Sequence, residues 1–263
     1  MSDLIAIVTT SEKRKRLLIL LRSGPRLWDE IKTQLNVTAS GMLPQIKILE
    51  DEGLIIKEVG LFRLTDLGRL VVYHLEPFDK TLTVIDQQKK YWQEHDLEAL
   101  PPEFFVRIGE IKNPHIIESG LEDSFEPHNQ FLEMILRSKK VAGLSPLVHP
   151  VYPRFFLSLA EKGHEVNLIL TKSAYKKIKK EYHDMLLECL QYDNVRMSIY
   201  ETDVRFAYIV TDSYFSMGLF MKNGIFDSTR DIVSNDPSAI RFGEDLFSHN
   251  LSKSRPINRE GQY

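Results

Sequence analysis

The stretch Leu35-Asn36-Val37-Thr38-Ala39-Ser40-Gly41-Met42-Leu43-Pro44-Gln45-Ile46-Lys47-Ile48-Leu49-Glu50-Asp51-Glu52-Gly53-Leu54 decides how the chain is read. Val37, Met42, Ile46 and Leu49 recur near helical spacing and turn toward one small core. Thr38 stands where a side-chain oxygen accepts from the first free N–H groups of a helix. Ala39, Ser40, Leu43, Pro44 and Lys47 are left on the outward face. Pro44 lacks a backbone donor and crowds the preceding turn, so it is expected to bend the helix or confine regular geometry to either side of it. Gly53 closes the segment, because glycine adopts a left-handed helix end at least cost. Small and polar side chains at a helix start admit close approach to base edges in a major groove, where bulkier ones would hold the helix off.

Upstream, Trp28 to Leu35 reads as a helix with Trp28, Ile31 and Leu35 on one face, set off by the breaker Ser23-Gly24-Pro25. Before it, Ser11 opens a helix over Glu12 to Arg22. Leu17, Leu18, Leu20 and Leu21 form its buried side, and Lys13-Arg14-Lys15-Arg16 is either a phosphate contact or a solvated helix face. Residues 1–10 suit a short helix or strand. Downstream, Leu54 to Val59 and Phe62 to Thr65 read as two strands around a turn at Gly60-Leu61. Helix, turn, helix, glycine and hairpin in that order predict a winged helix-turn-helix over 1–75. Its candidate contacts to double-stranded DNA are Thr38, Ser40, Gln45 and Lys47 on the second helix and Lys57 and Arg63 on the wing. Gln45 lies where helical spacing can turn it toward the flanking helix. The wing cations are alternatively ordinary solvated charges.

The whole chain has 263 residues, 43% hydrophobic and 27% charged, which suits two globular domains. Its net charge is −3, but residues 1–75 hold eleven Lys/Arg against nine Asp/Glu, leaving the acidic excess to the remainder. That asymmetry has the sign of a DNA-binding head on an acidic body, and so weakly basic a head needs two copies for useful affinity. No apolar run approaches the roughly 20 residues that span a bilayer. The expectation is a cytoplasmic protein without membrane association. Cys189 is the single cysteine and falls in an apolar helical pattern, and the eight histidines lack metal-ligand spacing. No cofactor and no metal is therefore expected.

After Thr65, a plausible cap, apolar positions Leu67, Leu70, Val71, His74 and Leu75 begin a helical segment that continues through Phe78, Leu82, Ile85 and Trp92 to the Pro101-Pro102 pair. We read 76–102 as a helical connector and dimerisation segment. Residues 103–263 then alternate strands and helices. The expected strands are Val106–Ile111, Lys140–Ser145, Glu165–Thr171, Val195–Tyr200, Phe206–Thr211 and Tyr214–Phe220. The expected helices are Phe125–Arg137, Tyr152–Glu161, one long helix Ala174–Leu190, and Ser238–Leu251, followed by a loose polar tail. This predicts a mixed, largely parallel α/β domain and, overall, an α+β / α/β fold class.

With both halves in view, the chain resembles archaeal winged-helix transcription regulators. The resemblance rests on Leu35 to Leu54 for an ArsR/TrmB-like head. In the body it rests on Val166 to Thr171, Tyr208-Ile209-Val210-Thr211-Asp212, Met217-Gly218-Leu219-Phe220 with Gly224 and Asp227, and Ser234 to Phe247, for a methanogenesis-regulator middle domain. It implies a homodimeric DNA-binding regulator whose body senses an effector or partner, not an enzyme. Such bodies are similar in strand order to half of a phospholipase D-type fold. That chemistry needs His-x-Lys, and Val204-Arg205-Phe206-Ala207-Tyr208 offers neither residue at those places. The rivals are a winged helix that binds protein and a phosphodiester hydrolase fused to a winged helix. In the body, Arg154, Arg205 and Arg241 near element ends, with Tyr152 or Tyr208 as an aromatic wall, are the candidates for an anionic small-molecule effector, or else surface arginines. His149, between Pro146 and Pro150, sits in a constrained loop.

Overall fold

The computed structural model describes residues 3–118 and 129–263. The chain divides into two compact units, Met1–Asp79 and Lys80–Tyr263.

The first unit contains α1 (Leu4–Thr9), α2 (Glu12–Leu21), β1 (Arg26–Leu27), α3 (Trp28–Leu35), α4 (Ala39–Asp51), β2 (Ile55–Glu58), β3 (Leu61–Leu64) and the start of α5 (Asp66–Gln87). The lead-in segment is thus helical. Side chains of Asp3, Ser11, Thr38 and Thr65 accept from the N–H groups of Ala6, Arg14, Gly41 and Gly68, satisfying donors the helix ends leave free. Between α3 and α4 the chain turns at Asn36, left-handed at φ 52°, a conformation asparagine tolerates better than most residues. Leu17, Leu18, Ile31, Met42, Leu49, Leu54 and Ile55 are buried together. α4 runs unbroken through Pro44, so regular geometry is not confined to either side of it. The donor that proline lacks would serve the carbonyl of Ser40, an exposed residue where water can take its place.

The strands form an antiparallel sheet in the order β1-β3-β2, with Ile55 opposite Leu64 and Glu58 opposite Leu61. The turn is Val59-Gly60, at φ 49° and 81°, as a two-residue type I′ hairpin requires. Val59 is fully exposed, so nothing offsets the crowding of a β-branched side chain at left-handed φ. Val59→Asn is expected to stabilise the first unit by about 1 kcal/mol in urea unfolding. A loss of stability would count against this turn geometry.

The second unit contains the end of α5, then α6 (Lys89–Glu94), α7 (Pro102–Phe105), β4 (His115–Glu118), α8 (Asn129–Arg137), β5 (Lys140–Ser145), α9 (Tyr152–Glu161), β6 (Glu165–Thr171), α10 (Lys172–Glu181), α11 (His183–Leu190), β7 (Val195–Tyr200), β8 (Phe206–Thr211), β9 (Phe215–Leu219), β10 (Arg230–Ser234), α12 (Pro237–Ser252) and β11 (Ser254–Pro256). Among the described residues they build an eight-stranded sheet in the order β11-β7-β6-β5-β8-β9-β10-β4. One face packs on α12 and on residues from Val84 to Ile111, and the other packs on α9, α10 and α11.

Several expectations are corrected here. The sheet is mixed but mostly antiparallel: only β5 with β6 and β6 with β7 run parallel, because only those pairs are joined by helical crossovers. Val106–Ile111 is no strand; it carries a 3-10 turn at Ile108–Glu110 whose Ile108 and Ile111 enter the core. The single helix expected over 174–190 is broken at Tyr182, which leaves helical geometry at φ −137°. Within the connector segment 76–102, Val84, Tyr91, Trp92 and Leu100 are core of the second unit. The tail is not loose: β11 pairs with β7, Ile257 is buried, and the Tyr175 hydroxyl donates to the Gly261 carbonyl. β10 was not foreseen. The expected helix start at 125–128 lies outside the described residues.

Candidate nucleic-acid interface and ligand cavity

In the first unit, Ala39, Ser40, Leu43, Pro44 and Lys47 of α4 are all exposed, while Met42, Ile46 and Leu49 are buried beneath them. Thr38 spends its hydroxyl on the helix cap, 3.3 Å from the Gly41 nitrogen, and lies 3.4 Å from the Ser40 hydroxyl. Lys47 pairs with Asp51 at 2.8 Å, and that hydrogen bond raises it above the usual lysine range. The pair spans one helical turn in water, so phosphate can displace it at small cost. Lys13, from the basic run on α2, reaches across to the Gly41 carbonyl at 3.3 Å and brings a cation to the start of α4.

Two of the candidates are committed elsewhere. Gln45 turns to α2, where its side-chain oxygen accepts from Arg14 at 2.7 Å and from Ser11 at 3.4 Å. Arg63 forms a two-pronged pair with Glu58 at 2.9 and 2.8 Å, and its hydrogen bonds hold Glu58 below the usual carboxylate range. These partners come from α2 and from the facing wing strand, so only the tertiary arrangement shows that both are engaged. Lys57 is exposed, with its ammonium 5.1 Å from the Phe62 ring centre.

In the second unit a cavity of about 810 Å³ lies between the sheet and the α9–α11 layer. Strand alternation places its floor: Val141, Val166 and Val233 belong to the core under those helices, so Gly143, Leu168 and Asp231, two residues away on each strand, share that face. With Ala207, Ser216 and Gly218 they make a floor of small side chains. At Gly143 an added Cβ would meet the Tyr208 carbonyl oxygen at 2.4 Å, and at Gly218 it would meet Asp231 Oδ1 at 2.5 Å. Phe156, Ile178, Leu186 and Cys189 contribute to the apolar roof. Burial pushes the Cys189 thiol up to about 12, leaving it protonated and inert.

Of the effector candidates, Tyr152 lines the cavity and His149 stands beside it, their rings 5.5 Å apart. Tyr208 reaches it through its main chain, since its side chain packs in the opposite core and its hydroxyl accepts from Asn250 Nδ2 at 2.9 Å. The three arginines are not brought together. Arg154 and Arg241 are exposed on α9 and α12, and Arg205 pairs with Asp96 at 2.8 Å. Their guanidinium groups stay hydrated or paired outside, while the residues lining the cavity include Asp227, whose carboxylate is fully bonded, and Asp231. The expectation that these arginines share one site with Tyr152 or Tyr208 is corrected accordingly.

The two carboxylates differ. Asp227 is held by Thr229 N and Oγ1 at 3.1 and 2.6 Å, by Arg230 Nε at 2.8 Å and by His95 Nε2 at 3.1 Å. Burial works to raise it, but Thr229 and Arg230 prevail and hold it below the usual range. Arg230 is in turn bound to Glu94 at 2.7 Å. Asp231 has no donor or cation among the described residues, and burial pushes it up to about 7. Its role was missed because β10 was missed. The alternation in Arg230-Asp231-Ile232-Val233 was the available signal, although alternation alone does not say that both faces are covered. Among the described residues no group of three His, Cys, Asp or Glu side chains is placed to hold a metal, and no helix is long and apolar enough to cross a membrane.

Residues 2–87 match the family model described as the HVO_A0261 N-terminal domain, and residues 124–253 match that of the methanogenesis regulatory protein FilR1, middle domain. The methanogenesis regulatory protein FilR1 of Methanothrix harundinacea (strain 6Ac) is 22% identical over 258 residues, covering 97% of this chain and 58% of that protein. The chain therefore spans less than two thirds of that relative's length. A solved structure of TrmBL2, described as an archaeal chromatin protein with a novel mode of DNA binding, aligns with 93% of this chain and 94% of its own. Its identity is 10% and its TM-score 0.43.

Proposed function

From the premise that the chain is similar, in its head and in its body, to archaeal winged-helix regulators with a methanogenesis-regulator middle domain, we propose that it is a DNA-binding transcriptional regulator. It acts as a homodimer and responds to a small molecule held in its second unit. The observation that carries the reading is the exposed face of α4, where Ala39, Ser40, Leu43 and Lys47 stand beside a wing. Ser40 and Lys47 are short or flexible enough to meet base edges and phosphate, and Leu43 suits a thymine methyl. Lys13 and Lys57 supply further cations.

Selection of genomic DNA fragments by the purified chain tests this reading. A two-fold repeat is expected, with half-sites one or more helical turns apart, roughly 10 base pairs each. No enrichment, or equal retention by a Ser40→Glu, Lys47→Glu variant, would sink it. On the selected fragment, Lys47→Ala is expected to reduce the slope of log affinity against log salt by about 1. An unchanged slope would remove Lys47 from the phosphate contacts.

The homodimer reading is supported by α5, whose Leu67, Leu70, Tyr73 and Phe78 are exposed by 55–67%. Their spacing of three to five residues makes an apolar stripe that a second copy can cover. A Leu67→Glu, Leu70→Glu variant is expected to sediment as a monomer and to bind the two-fold site about 100-fold more weakly, because one head no longer tethers the other. A variant that remains dimeric would place the dimer contact elsewhere.

A further inference from the structure

Asp231 is the unusual group of the second unit. The walls around it are mainly apolar, and the fold supplies it with no counter-charge and no hydrogen-bond donor among the described residues. Arg230, the adjacent cation, is bound to Asp227 and Glu94, and Lys177, which also lines the cavity, is exposed. Asp231 is half-buried in the cavity wall, and an ionised carboxylate largely withdrawn from water is costly unless paired. Nearby hydroxyls feel its charge: burial raises Tyr152 and Tyr214 above the usual phenol range, and Asp231 raises both further. Tyr214 Oη is buried with no hydrogen-bond partner. Glycines at 143 and 218 keep space open above the sheet, and a cavity of about 810 Å³ is of a size that encloses a small molecule.

We propose that this cavity binds a small molecule with an apolar body and one protonated amine, the amine pairing with Asp231 and the body lying over Gly143, Ala207 and Gly218 beneath Phe156 and Leu186. The assignment deepens the effector reading above and rests on it. An anionic ligand is disfavoured by the unpaired Asp231 carboxylate and the absence of any lining arginine. An amine supplies what the fold withholds, a donor that carries the opposite charge.

Three probes sharing one body separate these cases: 4-phenylbutylamine, 4-phenylbutanol and 4-phenylbutyrate, titrated calorimetrically into the full-length chain at pH 7.5. The amine is expected to bind at least about tenfold more tightly than the alcohol, and the carboxylate most weakly. Asp231→Asn is expected to abolish the preference for the amine while leaving the alcohol's affinity within about threefold. Ala207→Trp, which fills the floor, is expected to weaken all three. Equal or tighter binding of the carboxylate overturns the proposal, as does an amine preference that survives in Asp231→Asn. Failure of all three probes to bind also overturns it. DNA retention measured on the same samples keeps the two readings apart. Amine binding with the stated preference but no change in DNA affinity overturns the effector reading and leaves the chemistry of the cavity standing.

Discussion

Asp231→Asn is expected to stabilise the second unit by on the order of 3 kcal/mol at pH 8 and to have almost no effect near pH 4. In the folded chain burial pushes the carboxyl up from 3.8 to about 7, with the charge of Asp227 adding to it. Below pH 4 the group is protonated whether the chain is folded or not, so it contributes nothing. Between pH 4 and 7 the unfolded chain releases the proton and the folded chain keeps it. The folded state then binds more protons, and stability falls as pH rises. Above pH 7 the carboxylate is ionised in both states and the full penalty remains. Asparagine has the same shape and no charge, so it removes the penalty over that window. Urea unfolding of both proteins at pH 8 and pH 4 measures the difference. A gain of the same size at both pH values, or a loss at pH 8, would mean that the carboxylate is not held in a low-dielectric site. The same measurement also shows that the variant is folded, so its lost amine preference cannot be ascribed to unfolding.

The second large effect concerns Gly68, in the first turn of α5. A Cβ built there would lie 2.0 Å from the Leu54 carbonyl oxygen and 3.0 Å from its carbon. Both are backbone atoms just past the glycine that ends α4, and neither can rotate away. The Thr65 amide donates to that same carbonyl at 3.0 Å, and the Thr65 hydroxyl donates to the Gly53 carbonyl at 2.6 Å. Gly68→Ala must push α5 off this seat and strain both bonds. It is expected to cost about 3 kcal/mol or more and to lower DNA affinity, since α4 and the wing meet at Leu54. Gly53→Ala serves as the contrast. Its obstacle is the left-handed φ of 66°, with nothing within 4 Å of the new atom, and about 1 kcal/mol is expected. Thermal unfolding of both variants decides the matter, and a Gly68→Ala protein as stable as Gly53→Ala would disprove the close approach.

Much of the first unit was legible because its signals are local. Ser11, Thr38 and Thr65 stand where caps are needed, Gly53 ends α4, and the apolar spacing of Met42, Ile46 and Leu49 sets which side of α4 is buried. Of the candidate contact residues, the sequence left open which way Gln45 turns and gave no sign that Arg63 is paired. Their partners, Arg14 and Glu58, lie 31 and five positions away in sequence, and helical or strand spacing says where a side chain points but not what meets it there.

The second unit divides in the same way. Lys140–Ser145, Tyr152–Glu161, Glu165–Thr171, Val195–Tyr200 and Phe206–Thr211 were read with their boundaries, because apolar runs and turn residues are properties of the segment itself. Pairing direction, the strand β10 and the docking of the tail on β7 were not, since each depends on a neighbour distant in the chain. The sign of the charge in the cavity was not legible either. The sequence by itself determined the helix caps, the wing, the outward face of α4 and several strands and helices of the second unit, through periodicity and turn chemistry acting over a few residues. Only the tertiary structure decided that Arg154, Arg205 and Arg241 face away and that Asp231 faces in. Which residues share an enclosed space is set by how two sheet faces are covered, and burial then turns one carboxylate without a partner into the dominant group of the site.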